Sequence, residues 1–154
     1  MLRACLFSLG GSTFAVDVRS AREVAGFDNI TRVPRGVRHL VGVANLRGSI
    51  VPIVDIRGAL GLAEARPARS VHTLVVRDGS LVVAAVVDSV LGLEPFDAVL
   101  PPDTPAGSRA REAGAFATGW VSWAGEIVPV LDIPRLLATL RSPASDVAAV
   151  QEKA

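Results

Sequence analysis

The phrase Gly-x-Ile-Val-Pro, two apolar residues and Asp-Ile occurs twice in this chain. It reads Gly48-Ser49-Ile50-Val51-Pro52-Ile53-Val54-Asp55-Ile56 and, 77 residues later, Gly125-Glu126-Ile127-Val128-Pro129-Val130-Leu131-Asp132-Ile133. A repeat constrains architecture more than local propensity does, because each copy must find the same kind of environment. A spacing of 77 is too long for a solenoid unit, so it points to two similar small β units in one chain. Two weaker echoes agree. Phe96-Asp97 mirrors Phe27-Asp28 at an offset of 69, and Gly79-Ser80 mirrors Gly11-Ser12 at 68. The offset grows to 77 by the main motif, which places about eight extra residues within 101–119, a stretch rich in Pro, Gly, Ala and charge.

The local pattern is that of strands and turns. Residues 6–18 predict a hairpin, with Gly10-Gly11-Ser12 as the turn and Phe14, Val16 and Val18 alternating with Ala15 and Asp17. Residues 20–24 suit a short strand or turn edge. Residues 37–46 fit a helical turn leading into a strand, and periodicity does not decide between them. Residues 50–56 predict a strand, which Pro52 demotes to an edge or bulged position. Residues 57–62 fit one helical turn closed by Gly61. The polar stretch 63–70 is the best linker. Two β-branched runs, 71–76 and 81–87, flank Asp78-Gly79 and predict a second hairpin. Residues 120–123 pair with 127–133. Pro134 suits the start of a helix, and Leu136, Leu137 and Leu140 supply its apolar face.

The class is therefore all-β, with two small barrels favoured over one sandwich. The expected division is a domain at 1–141 and a loose tail at 142–154. Within the domain, one subdomain covers roughly 1–65, a second roughly 70–133, and a short C-terminal helix covers 134–141.

Composition removes several function classes. A chain of 154 residues can bury roughly 70% of its unfolded surface and needs no staples. The single Cys5 makes neither an internal disulfide nor a metal cluster. No apolar run reaches the roughly 18 residues of a membrane helix, so direct membrane insertion is not expected. Residues 1–9 imitate a signal peptide weakly, but the following glycines and alternation fit a first strand better. A cytoplasmic location fits. A net charge of +1 gives no global drive toward nucleic acid.

Catalytic chemistry has little to stand on. His39 and His72 have no second ligand at metal spacing. Ser12, Ser49 and Ser80 lie on turns without a nucleophile elbow. No phosphate-binding loop exists, and the only lysine is Lys153. Asp17, Asp55, Asp88 and Asp132 lie at strand ends, where an Asp bonds turn backbone. No catalytic residue, metal or cofactor is expected. The remaining charge feature runs from Asn29 to Val54: Arg32, Arg35, Arg38, His39 and Arg47 with no acidic residue. This is a solvated face or a binding surface, since Arg tolerates interfaces and binds carboxylates in a planar fork.

The segment from Gly42 to Arg57, centred on Asn45-Leu46-Arg47-Gly48, resembles the hallmark of the CheW family, the coupling proteins of bacterial chemosensory arrays. The opening Phe7-Ser8-Leu9-Gly10-Gly11 is similar too. So are Ile30-Thr31-Arg32-Val33-Pro34, Val86-Val87-Asp88-Ser89-Val90 and the closing residues 125–137. The resemblance covers roughly residues 5–140. It implies a pair of SH3-like five-stranded β-barrels sharing a hydrophobic core, and no catalytic activity. The implied partners are the cytoplasmic tip of a chemoreceptor, the regulatory domain of a CheA-type histidine kinase, and other CheW-like proteins. By resemblance the receptor surface includes Ala21, Glu23, Gly42, Asn45, Leu46 and Arg47. The kinase surface is an apolar end of the first barrel, for which Phe27, Ile30 and Val33 are the candidates. Ala21 and Arg35-Gly36-Val37 depart from the family pattern, which motivates a narrower expectation: an adaptor that binds receptor but not kinase. An Arg-rich nucleic-acid-binding β-barrel is the alternative of another class.

Overall fold

The computed structural model describes residues 1–32, 39–63, 70–105 and 113–140. In chain order the strands are β1 (Leu2–Leu9), β2 (Ser12–Asp17), β3 (Ala21–Phe27), β4 (Leu40–Leu46), β5 (Ser49–Val54), β6 (Val71–Asp78), β7 (Leu81–Val87), β8 (Ser89–Phe96), β9 (Ala117–Trp123) and β10 (Glu126–Leu131). Helix α1 (Ile133–Leu140) follows β10. Residues 40–46 are strand throughout, and β3 is longer than the short edge expected. The second hairpin turns on Gly79-Ser80, with Asp78 paired to Leu81 inside the ladder. The linker centre, the tail 142–154, Arg35, Arg38 and Val33 lie outside the described residues.

Two five-stranded sheets form, with orders β8-β1-β2-β10-β9 and β3-β6-β7-β5-β4. The repeat explains both orders. Strands β1–β5 are one copy and β6–β10 the other, so β10 corresponds to β5 and β8 to β3. Each sheet takes the first hairpin of one copy and the last three strands of the other. The sheets therefore do not coincide with the two halves expected at 1–65 and 70–133. The cause is the chain's path: residues 18–20 carry it from one sheet to the other, and Asp88 alone carries it back.

The extra residues of the second copy are bracketed by the structure. Thr31 bridges to Val43, and Leu100 bridges to Trp120. The first members of these bridges are 69 apart and the second members 77 apart, so the insertion lies between Leu100 and Trp120.

The burial pattern follows from this packing. Ala4 and Leu6 point into the first sheet's interior with Ala15, Phe96, Val121, Val128 and Val130. The intervening Cys5, Phe7 and Leu9 point the other way, into a core that both sheets share. Strand β7 is split likewise. Ala84 and Val86 face the second sheet's own interior, while Val83, Ala85 and Val87 face the shared core. A strand buried on both faces reads as a continuous apolar run, which is why 81–87 showed no alternation. Burial also pushes the Cys5 thiol pKa up. A buried thiol of this kind is inert, so a thiol reagent is expected to label Cys5 only after denaturant is added.

The prolines of the repeat are accommodated twice in the same way. Pro52 pairs with Val43 on β4, and contact with β7 begins only at Ile53. Pro129 pairs with Trp120 on β9, and contact with β2 is made at Val130. The missing N–H of each proline thus costs the sheet no bond on that side.

The aspartates serve turns, as their strand-end positions suggested. Asp55 Oδ1 accepts from the Arg57 N–H at 3.0 Å, and the chain then makes one helical turn, with the Leu60 N–H donating to Ile56 O. Asp132 Oδ1 accepts from the Arg135 N–H at 3.1 Å and caps α1. Leu136, Leu137 and Leu140 of α1 are buried in the shared core. Asp132→Ala is expected to lower unfolding stability by about 1 kcal/mol, the usual cost of a lost N-cap, measured by denaturant titration.

Candidate functional site

The segment Asn45-Leu46-Arg47-Gly48 forms the end of β4 and its turn into β5. Leu46 pairs with Ser49, so Arg47-Gly48 is a two-residue loop. Both lie at positive φ, 49° and 88°, as a type I′ hairpin turn requires. Its twist matches that of the strands it joins, but its first position suits Asn or Gly. The second copy makes the same turn with Ala124-Gly125, at 52° and 80°, so the conformation belongs to the repeat. The Asn45 side chain supports the turn, its Oδ1 accepting from the Gly48 N–H at 2.8 Å.

The Arg47 guanidinium reaches across to β3 and pairs with Glu23. The Arg47 side chain is 69% exposed and that of Glu23 23%. A pair this exposed contributes roughly 0–1 kcal/mol, so a competing carboxylate can replace Glu23 at little cost. Two residues before Glu23, Ala21 is half-buried and packs against the shared core. Val90 on β8 packs against the same core from the other sheet. A seam between the sheets is thus bordered by Ala21 at the start of β3 and by β8. Past a bulge, Glu23 lies opposite Val75 on the other face of β3, so the Arg47–Glu23 pair stands beside this seam.

Strand β8 supplies residues that sequence reasoning missed. Leu91 and Leu93 are exposed apolar side chains, at 42% and 59%, on an edge strand that pairs with β1 alone among the described residues. The positions equivalent to Leu91 and Leu93 in the first copy are Arg22 and Val24, so the apolar pair belongs to β8 alone. The Leu-Gly-Leu alternation at 91–93 was the available signal.

The other expected residues divide by burial. Leu46 is half-buried and packs on the second sheet's interior. Gly42 is explained by close approach: a Cβ there would lie 2.5 Å from the Thr31 carbonyl oxygen. Its counterpart Gly119 would meet Leu100 O at 2.8 Å, so the glycine lets a crossing segment lie on the strand in both copies. Gly42→Ala is therefore expected to lower stability by about 1–3 kcal/mol, as overpacking does, with a matching fall in Tm by calorimetry. Phe27 is a core side chain, 7% exposed and packed with Val41 and Val51. It shapes the barrel end from inside. Ile30 is half-buried against the same interior.

An open groove of about 630 Å³ lies elsewhere, bordered by Arg3, Asp17, Arg19, Phe96 and Asp97. Its Asp17 and Arg19 are already paired with each other. Among the described residues, no group of three His, Cys, Asp or Glu could hold a metal ion, and no helix is long and apolar enough to cross a membrane.

Comparison with known proteins places this geometry. The model of the CheW-like domain matches residues 3–141. The chain is 30% identical over 140 residues to a probable chemotaxis protein CheW of Rhizobium etli, covering 90% of this chain and 89% of that protein. It is 31% identical over 140 residues to protein FrzA of Myxococcus xanthus, covering 90% and 86%. The crystal structure of the scaffolding protein CheW from Thermoanaerobacter tengcongensis superposes with a TM-score of 0.70 at 23% identity, covering 84% of this chain and 88% of that one. The two five-stranded sheets, their shared core and the repeated motif thus have a common explanation: the chain belongs to the CheW-like domain family.

Proposed function

We propose that this protein is the non-enzymatic adaptor of a bacterial chemosensory array, joining the cytoplasmic tip of a chemoreceptor to the regulatory domain of a CheA-type histidine kinase. The observation that carries the receptor half is the seam. An exposed, easily opened Arg47–Glu23 pair stands beside it, and exposed Leu91 and Leu93 stand on β8. A receptor tip is a helical hairpin with apolar and charged residues on its faces. Such a helix lays its apolar face into a groove, and Arg is a frequent anchor at protein interfaces. Ala21, Asn45 and Leu46 would complete the β3–β4 side, with Gly42 supporting it from behind.

The kinase half rests on the apolar end of the second sheet's barrel, built over Phe27 and Ile30. Exposed Val24 and Ile50, at 55% and 37%, give that barrel apolar surface to offer. An adaptor of this kind passes on a conformational bias by binding one state of each partner better than the other.

Titration of the labelled protein with a soluble receptor-tip hairpin, followed by amide chemical shifts, tests the receptor half. Shifts are expected at Ala21, Glu23, residues 45–48 and Val90, Leu91 and Leu93. Saturating shifts confined to other surfaces, or none at all, would reject the seam as the receptor site.

A further inference from the structure

Two short links carry the chain between the sheets, and they are built differently. At residues 18–20 the ion pair is local and wet. Arg19 donates to Asp17 at 2.8 Å, and the Arg19 side chain is 87% exposed. That hydrogen bond holds the Asp17 carboxyl below its usual range, but a pair so exposed and so local constrains little beyond its own turn.

At Asp88 the pair is long-range and sheltered on its Arg side, with the Asp88 side chain 47% exposed. The Arg57 side chain is only 12% exposed. Its Nη1 donates to Asp55 Oδ2 at 3.0 Å, and its Nη2 to Asp88 Oδ1 at 3.4 Å. The second oxygen of Asp88 accepts from the Gly10 N–H at 2.8 Å. The Asp88 N–H donates to Ser8 O at 2.8 Å, and the Ser8 and Ser89 hydroxyls lie 2.7 Å apart. Arg57 follows β5 in one sheet, whereas Ser8 and Gly10 belong to the β1–β2 hairpin of the other. One carboxylate therefore ties both sheets together, one residue before the strand that carries Val90, Leu91 and Leu93.

The tie is one-sided. The residue equivalent to Arg57 in the second copy is Pro134, which has no side-chain donor. The planar fork of Arg can hold two carboxylates at once, which the point charge of Lys does less well.

We propose that Arg57 is a positioning residue for the groove. Through Asp88 it fixes the orientation of one sheet against the other, and with it the separation of β3 from β8. The inference rests on the seam being the receptor site.

Asp88→Asn and Arg57→Lys test it, with Arg19→Ala as the solvent-exposed counterpart. Residual dipolar couplings of backbone amides report the orientation of β1, β2 and β8 relative to β3, β6 and β7 in each folded variant, without any partner. Each sheet is expected to keep its internal couplings. The relative orientation is expected to shift in Asp88→Asn and Arg57→Lys but not in Arg19→Ala. Affinity for the receptor-tip hairpin is expected to fall about tenfold in the first two only, the scale at which residues outside a site modulate binding. An unchanged orientation in folded Asp88→Asn and Arg57→Lys overturns the tie. A shifted orientation with unchanged affinity overturns the positioning role. Arg47→Ala, titrated alongside, separates the two ideas: if it weakens binding where the Arg57 and Asp88 variants do not, the receptor site stands and the positioning role falls.

Discussion

Phe7→Ala is expected to cost about 3–5 kcal/mol, the usual range for truncating a buried Phe. Both sheets should unfold together in one transition. Phe7 is 1% exposed and lies in the shared core, its ring centre 5.6 Å from that of Phe14. That core joins side chains of β1 and β2 to side chains of β5, β6 and β7 and to α1. A cavity there loosens both sheets at once, and relaxation of one cannot spare the other. Trp120, 1% exposed, reports the first sheet by fluorescence, and hydrogen exchange at β6 and β7 reports the second. Coincident midpoints in denaturant are expected. The exchange of hairpins between the copies sharpens this. Fragments cut within residues 64–69 should each remain unfolded, because each lacks strands that both sheets require. Well-dispersed amide spectra from either fragment alone would contradict the shared-core description.

Arg47→Glu is expected to abolish most receptor binding while sparing the fold. The native pair with Glu23 is exposed and worth little, so the charge reversal should move stability by no more than about 1 kcal/mol. At the groove the same change places two carboxylates where the partner's carboxylate would dock. A loss of roughly thirtyfold or more in affinity follows if Arg47 is a hot spot of about 2 kcal/mol. Arg47→Asn separates the two roles. Asn tolerates positive φ better than Arg and favours the type I′ turn, so its Tm should equal or exceed that of the parent while its receptor affinity falls. Calorimetry and receptor titration on the same samples check both halves. An Arg47→Asn variant with full affinity would remove Arg47 from the site.

Much of the strand plan was legible because the repeat says which segments are alike. It does not say which sheet each joins. Residues 18–20 and Asp88 decide that, and nothing in their composition announces a crossing. Asp55 and Asp132 were readable as turn ligands since each stands at a strand end in an equivalent position. Arg57 was not readable as a tie, because its partner Asp88 lies 31 residues away at the boundary between sheets. Phe27 could have been placed inside from β3 alone. Glu23, Ala25 and Phe27 share one row of the strand, and that row is more buried than Val24 and Gly26 between them; a bulge turns Ala21 to the other face. Gly42 needed the structure, since its reason is the carbonyl of Thr31 crossing over it. Of the proposed site, the hairpin carrying Arg47 was legible through the family resemblance. The apolar wall at Leu91 and Leu93 was not, since the repeat drew attention to what the copies share, whereas these two leucines are where β8 differs from β3.

In the proposed role this chain joins two partners. Co-sedimentation with receptor-tip assemblies and the kinase regulatory domain, at micromolar protein, tests it most directly. The protein is expected to pellet with receptor, the kinase domain to pellet only when the protein is present, and Arg47→Glu to remove both. A protein that leaves receptor and kinase domain alike in the supernatant would contradict it.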